Sequence, residues 1–292
     1  MSMDPRRDHQ IGLLFVIASA ITWSSAGFFT RLIDLDYPTM IAGRGIFGAL
    51  GLIIVIIAFH RRNWTRLFTS MGRIEAFYIG LVVLGMIAFV SSLGLTSVAH
   101  NSVIFATLPL IAAFLAWVVI GEVPSAPALI AALFAILGVG IMVGFGFDGG
   151  LSGDILSLVA TLCMAASIIL IRKNPMVAVT ACACVGSLAS GLLCLPFADL
   201  AAVTPTHLAY LVLFGLLNSA AGLTLFSLGS KRLPAIETAL ISTLDTPLAP
   251  LWVWLAFNEA AGPQTLLGGI IVLSAVVLHV VVSQRRGVSG KA

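Results

Sequence analysis

Ten stretches of this chain, each about 20 residues long and almost free of charge, follow one another with only short links between them. An α-helix rises 1.5 Å per residue, so about 20 apolar residues match the roughly 30 Å hydrocarbon core of a bilayer. The runs lie at residues 11–32, 38–59, 75–95, 100–120, 126–145, 154–171, 177–197, 207–228, 235–257 and 263–283. No loop is long enough to hold a soluble domain, so any chemistry has to lie within the membrane. Composition agrees: 60% of the residues are hydrophobic and 9% charged, where soluble domains carry about 25% charged residues. The 28 glycines fit helices that approach one another closely. The expected fold is an all-α integral membrane protein with ten transmembrane helices.

The basic residues set the expected orientation. With a cytoplasmic N-terminus, thirteen of the 15 Lys and Arg residues fall on the inner side, and the exceptions are Arg31 and Arg44. Both termini are then expected in the cytoplasm of a cell whose inner (plasma) membrane holds the chain. Because the basic residues flank apolar runs, the formal charge of +3 gives no reason to expect nucleic acid as a partner. Arg6 and Arg7, the apolar run behind them and Ala18-Ser19-Ala20 imitate a signal peptide. The run continues to Phe29, beyond a usual signal core, and is read as an uncleaved first span. Cys163, Cys182, Cys184 and Cys194 all fall inside spans and are read as small packing residues.

Residues 1–149 and 150–292 resemble each other. Pro109 to Glu122 reads PLIAAFLAWVVIGE, and Pro247 to Glu259 reads PLAPLWVWLAFNE. Gly12 to Arg31 aligns with Gly153 to Arg172 at a constant offset of 141. Five spans per half is an odd number, so the second half is expected upside down relative to the first. Arg31 and Glu259 then lie outside, and Arg172 and Glu122 inside. Inverted five-helix repeats of this kind belong to alternating-access transporters.

The order and repetition of these features resemble the drug/metabolite transporter superfamily, EamA type. The features are ten short spans in two halves, Ala18 to Trp23 as A-x-x-x-x-W, and P-L-(x)n-E ending spans 4 and 9. The resemblance covers nearly the whole chain. It implies export of amino acids or other small metabolites through a cavity between the halves, and one similar branch exports aromatic amino acids. Here Ser24 follows Trp23 where the family often has Gly, and Met164 stands at the Trp position of the second half.

The residues themselves point to a site near mid-membrane. A proline inside a helix lacks an N–H and displaces the carbonyl four residues back. Pro247 is expected to free the carbonyl of Thr243, Pro250 that of Thr246, and Pro109 that of Phe105. Helix interruptions at matching places in two halves are the best pointer to a transporter's site. Asp245 lies ten residues into its span, about 15 Å from its end. There it has to face a cavity, pair or stay protonated, which makes it a candidate for proton coupling. Arg44 among small residues is read as a possible carboxylate partner or as snorkelling outward. Trp23 lies deep, with Ser24 and Ser25 beside it. Ser91, Ser92, His100, Asn101, Asn218, Ser219 and Thr224 complete the polar candidates for a substrate cavity, with interhelical glue as their other reading. Trp252 and Trp254 are expected in the outer aromatic belt and Trp117 in the inner one. Glu122 is expected to cap the helix that follows it, Glu237 to neutralise Arg232 or Lys231, and His279 to stand alone in packing.

Rival functions fit less well. An aspartyl intramembrane protease needs two aspartates in the membrane, and only Asp245 qualifies, since GFGFD (144–148) lies in a loop. GVSG (287–290) lies beyond the last span, and no P-loop occurs. A passive channel or facilitator pore would want a ring of like residues. The expectation is a non-enzymatic secondary transporter of neutral or aromatic amino acids, with a multidrug or other metabolite exporter as the alternative. Its expected partners are a small-molecule substrate and the lipid bilayer. No cofactor or metal is expected, and a monomer is favoured.

Overall fold

Helix occupies each stretch in which the sequence predicts a span, and no strand occurs among the described residues. The computed structural model describes residues 5–60, 64–69, 71–96, 98–143, 150–257 and 262–289. Arg61, Arg62, residues 144–148, Glu259 and Lys291 lie outside them. Span 1 is built from Pro5–Ser24 and Ala26–Ile33, span 2 from Tyr37–His60 and span 3 from Arg73–Leu95. Span 4 is Val98–Ala106 followed by Leu108–Ile120, and span 5 is Ala126–Val143. Span 6 is Leu151–Lys173 and span 7 is Val179–Cys194. Span 8 joins Pro205–Phe214, a π-helical Gly215–Ala221 and Gly222–Ser230. Span 9 is Ala235–Ser242 then Asp245–Phe257, and span 10 is Pro263–Ser289. Among the described residues eight helices are long and apolar enough to cross a membrane, and Ala126–Met142 is a shorter apolar one. The chain is a multi-pass membrane protein.

Local chemistry sets the helix ends. Gly121 closes span 4 at φ 69°, a left-handed turn that favours glycine. Thr204 opens span 8: its hydroxyl accepts the His207 N–H at 3.2 Å. Pro205 takes the first helical position, where no N–H is needed. Leu14, Phe59, Leu255 and Leu278 stand exposed on the outside, as lipid-facing residues do.

The principal contacts exchange among themselves when each span number is shifted by five. Span 1 packs on span 8 as span 6 packs on span 3. Spans 2 and 8 meet as spans 7 and 3 do, and spans 1 and 9 as spans 6 and 4 do. Span 2 packs on span 7, span 4 on span 9 and span 5 on span 10. Apolar side chains gain little by leaving lipid for one another, so close van der Waals approach has to hold such pairs. Glycine makes that approach possible. A Cβ on Gly45 would lie 2.5 Å from the Ser187 carbonyl oxygen and 2.8 Å from Gly191 Cα. A Cβ on Gly138 would lie 2.8 Å from the Gly268 carbonyl oxygen.

At the proximal face, the one holding the start of span 1, polar contacts tie six spans together. Arg232 Nε bonds Asp8 at 3.0 Å, and Arg172 Nε bonds Glu122 at 3.2 Å. Lys231 Nζ donates to the carbonyls of Pro175 and Val177 at 2.9 and 3.0 Å. Glu237 does not neutralise Arg232 or Lys231, whose charges are already engaged. It meets His9 Nε2 at 2.8 Å and His279 Nε2 at 3.4 Å, the second an electrostatic contact rather than a hydrogen bond. His279 is therefore not alone. Glu122 caps span 9 rather than the helix after itself, accepting the Ala235 N–H at 3.1 Å. At the distal face Thr96 donates to Asp154 at 2.5 Å, and Thr39 accepts the Asp199 N–H at 2.8 Å.

Glu237 is 8% exposed and joins spans 1, 9 and 10. Glu237→Gln keeps the shape and weakens a charge-assisted bond, at a cost of about 2 kcal/mol. Thermal unfolding in detergent should show a lower midpoint for this variant; an unchanged midpoint would make the cluster energetically idle.

Candidate functional site

Spans 4 and 9 break at matching places. Thr107 separates the two helices of span 4, two residues before Pro109, and Thr243-Leu244 separates those of span 9, just before Asp245-Thr246-Pro247. The prolines begin new helices instead of interrupting old ones. Pro109 is the second residue of its helix and Pro247 the third, where an N–H would have no intrahelical partner. The Thr243 carbonyl is not left free, since it accepts the Thr246 N–H at 3.3 Å. Pro250 lies inside the continuous helix Asp245–Phe257 and does not break it. Both hinge threonines turn back on their own helices: Thr107 Oγ1 donates to Ile104 O and Thr243 Oγ1 to Leu240 O, each at 2.6 Å.

Span 1 also breaks, at Ser25, with no proline. Thr22, Ser24 and Ser25 each donate a hydroxyl to the carbonyl three residues back, at 2.7, 2.7 and 2.6 Å. Such back-bonding bends helices. Ser24 also accepts the Trp252 indole N–H at 2.8 Å, while Trp252 stays 37% exposed. Trp254 and Trp117 are exposed.

These breaks surround a small void of about 30 Å³ lined by Trp23, Phe105, Leu108, Met164, Ser242, Thr243 and Asp245. Its walls come from equivalent places in the two halves. Trp23 and Met164 are related by the 141-residue offset, and Phe105 and Thr243 each stand four residues before the proline of their span. The first half contributes aromatic and apolar surface. The second adds two hydroxyls and one carboxylate. Asp245 occupies the first turn of its helix, where the helix dipole favours a negative charge, and Thr246 Oγ1 donates to it at 3.1 Å. A volume near 30 Å³ is about one water's share; small-molecule pockets need about 300–1,000 Å³. In this conformation the void is too small to admit such a ligand.

A second polar group lies behind Trp23. Its indole N–H donates to the Asn218 carbonyl at 3.0 Å, its ring packs on Phe226 at 5.0 Å, and Asn218 Nδ2 returns a bond to the Trp23 carbonyl at 3.4 Å. Asn218 sits in the π-helical turn of span 8, Gly215–Ala221. Arg44 Nη1 donates to Asn218 Oδ1 at 3.4 Å, and the guanidinium lies 5.5 Å from the Phe214 ring centroid. Arg44 Nε is buried without a partner. Arg44 and Asp245 do not meet: among the described residues no ion pair joins them.

The other candidates are dispersed. Asn101 accepts from Ser157 at 2.9 Å and fastens span 4 to span 6. Ser92 is buried and donates to Phe89 O at 2.6 Å, whereas Ser91 is exposed. Ser219 lies against Gly48 at the crossing of spans 2 and 8. The Thr224 hydroxyl is buried without a partner. The His100 side chain lies outside what is described. Phe105, Leu108, Ser242 and Thr243 were not anticipated as site residues; the repeat alignment run outward from Pro109 and Pro247 is the signal that finds them.

A family model described as the EamA-like transporter family matches the chain twice, over residues 10–144 and 151–281. No curated protein matches the sequence. A solved crystal structure, titled only as that of a protein, superposes with a TM-score of 0.81 at 15% identity, covering 94% of this chain and 98% of the other. At that identity the likeness shows a common fold.

Proposed function

The chain belongs to the EamA-like transporter family, and from that footing we propose that it is a secondary transporter that exports small amphipathic metabolites, neutral and aromatic amino acids first among them. Ten spans form two inverted repeats, 1–149 and 150–292, with both termini in the cytoplasm of an inner (plasma) membrane protein. Access alternates between the two sides. The observation that carries this reading is the void at the hinges of spans 1, 4 and 9, walled by aromatic surface on one side and by Ser242, Thr243 and Asp245 on the other. An aromatic side chain would lie against Trp23 and Phe105, and an ammonium group would meet Asp245. Spans must part for that to happen, because the void has room for only about one water. The breaks at Ser25, Thr107 and Thr243-Leu244 supply the joints. Asp245 is the candidate for proton coupling, since outward release would leave its carboxylate free to take a proton from that side.

A second reading, export of lipophilic amines, has its own support: Asp245 is the one charged residue lining the void and no basic group joins it. Uptake of labelled phenylalanine, threonine and a cationic dye into proteoliposomes, with and without a pH gradient, separates the two. Saturable phenylalanine flux that unlabelled substrate competes is the expected result, and uphill movement driven by the pH gradient would assign coupling. Dye flux without amino-acid flux transfers the protein to the second reading. Flux that never saturates would favour a pore.

A further inference from the structure

A second cleft, away from the hinges, is larger than the void there. It measures about 490 Å³ and lies between the proximal ends of spans 3, 4 and 6. It shares no lining residue with the void at Asp245. Its walls are apolar, with Phe77 from span 3, Leu115 and Val119 from span 4 and Leu170 from span 6. Phe77 is 61% exposed and Val119 43% exposed, so the cleft opens sideways, toward the lipid, and not into the bundle. At its mouth stand Arg73, the first residue of span 3, and Lys173, the last of span 6. Among the described residues neither is in an ion pair. Their neighbours on the same face are committed: Arg172 to Glu122, Arg232 to Asp8 and Lys231 to two carbonyls. The nearby Glu75 carboxylate is also committed, accepting the Gly72 N–H at 2.9 Å in the cap of span 3. The free N–H groups in the first turn of that helix add positive potential beside Arg73.

An apolar slot open to hydrocarbon, with two unpaired cations at headgroup depth, is complementary to one kind of molecule. We infer that this cleft binds one anionic phospholipid, its phosphate between Arg73 and Lys173 and an acyl chain along Phe77, Leu115 and Val119. A neutral or zwitterionic lipid would fill the slot but leave the cations uncompensated. The volume falls within the range of small-ligand sites, about 300–1,000 Å³. Basic pockets between helices near the membrane surface recruit anionic headgroups for the same reason. The bound lipid would bridge spans 3, 4 and 6 across the boundary between the two halves. The inference rests on the chain lying in a bilayer and stands apart from the choice of substrate.

Native mass spectrometry of the full chain, released from detergent with added phosphatidylglycerol or phosphatidylcholine of the same acyl composition, tests it. One phosphatidylglycerol should remain bound where phosphatidylcholine is lost. The double variant Arg73→Gln/Lys173→Gln should weaken retention by about tenfold or more, since each surface cation contributes appreciably to an anionic lipid. Arg73→Lys/Lys173→Arg should retain it. Val119→Trp, which fills the slot and leaves both charges, should also displace the lipid. Inorganic phosphate or glycerol phosphate should not compete at concentrations comparable to the lipid. Equal retention of the two lipids, undiminished retention in the double glutamine variant, or free phosphate competing as well as the lipid would each overturn the assignment. All the altered side chains lie at the exposed cleft, and elution of each variant as a single folded species is the control for folding.

Discussion

Asp245→Asn should lower the flux of an amine-bearing substrate about tenfold to a hundredfold while leaving the amount of folded protein unchanged. The substitution keeps the size of the side chain and the contact with Thr246, and removes only the charge. A hydrogen bond to a charged partner contributes about 1.5–3 kcal/mol, which corresponds to about a tenfold to a hundredfold change in binding. The effect should fall mainly on affinity for substrates with an ammonium group, and any uphill transport under a pH gradient should disappear. Trp23→Phe, which keeps an aromatic wall but loses the N–H that bonds the Asn218 carbonyl at 3.0 Å, should be milder. Flux assays on reconstituted variants of matched protein content decide the matter. Wild-type flux in Asp245→Asn would make the aspartate a structural cap of its helix and nothing more.

The second large effect concerns the fold. Gly268→Ala should destabilise the protein severely, whereas Gly269→Ala one position along should be tolerated. A Cβ at Gly268 would run into the Gly138 carbonyl oxygen and would stand 2.5 Å from the backbone nitrogen of Met142. A Cβ at Gly269 would meet Pro247 at 3.5 Å, an ordinary contact. Forcing an extra carbon into a packed interior costs about 1–3 kcal/mol when side chains can shift. Here the obstacle is backbone on a partner helix, so the cost lies at or above the top of that range. Gly269→Ala changes the same atoms in the same helix and gains about 0.5–1 kcal/mol of helix propensity. Melting curves and monodispersity in detergent should separate the pair widely; similar curves would mean that spans 5 and 10 yield more than their close crossing implies.

Much of this architecture was legible in the sequence because it rests on length and apolarity. The helices lie where the runs predict them, and the hinges of spans 4 and 9 announce themselves through Pro109 and Pro247. What Pro109 and Pro247 do was misread: they start helices at positions that lack a partner for an N–H anyway, and the Thr243 carbonyl accepts the Thr246 N–H. The hinge of span 1 carries no such mark, because hydroxyl back-bonding by Thr22, Ser24 and Ser25 depends on side-chain rotamers. The π turn around Asn218 is equally silent, since a shift of hydrogen-bond register leaves no residue type behind. Glu237 and His279 lie far apart in the chain, and only the convergence of spans 1, 9 and 10 brings them together. Arg44 looked available for a substrate, but the fold turns it to Asn218 behind Trp23.

The irregular helices are not spread evenly. Spans 1 and 8, which pack on each other, hold the Ser25 break and the π turn, while their counterparts 6 and 3, which also pack on each other, are unbroken. On the proposed alternating-access cycle, the irregular flank of the bundle is the door and the other the jamb. In a perfect inverted repeat the two gates would be interchangeable and the two facing states equal in energy. On the proposed cycle that degeneracy is lifted, and the molecule should act as a rectifier, with unequal rates for equal gradients imposed in opposite directions. Amide hydrogen exchange should report it first, with residues 22–26 and 215–222 exchanging well ahead of residues 157–171; equal protection on the two flanks would return the machine to symmetry.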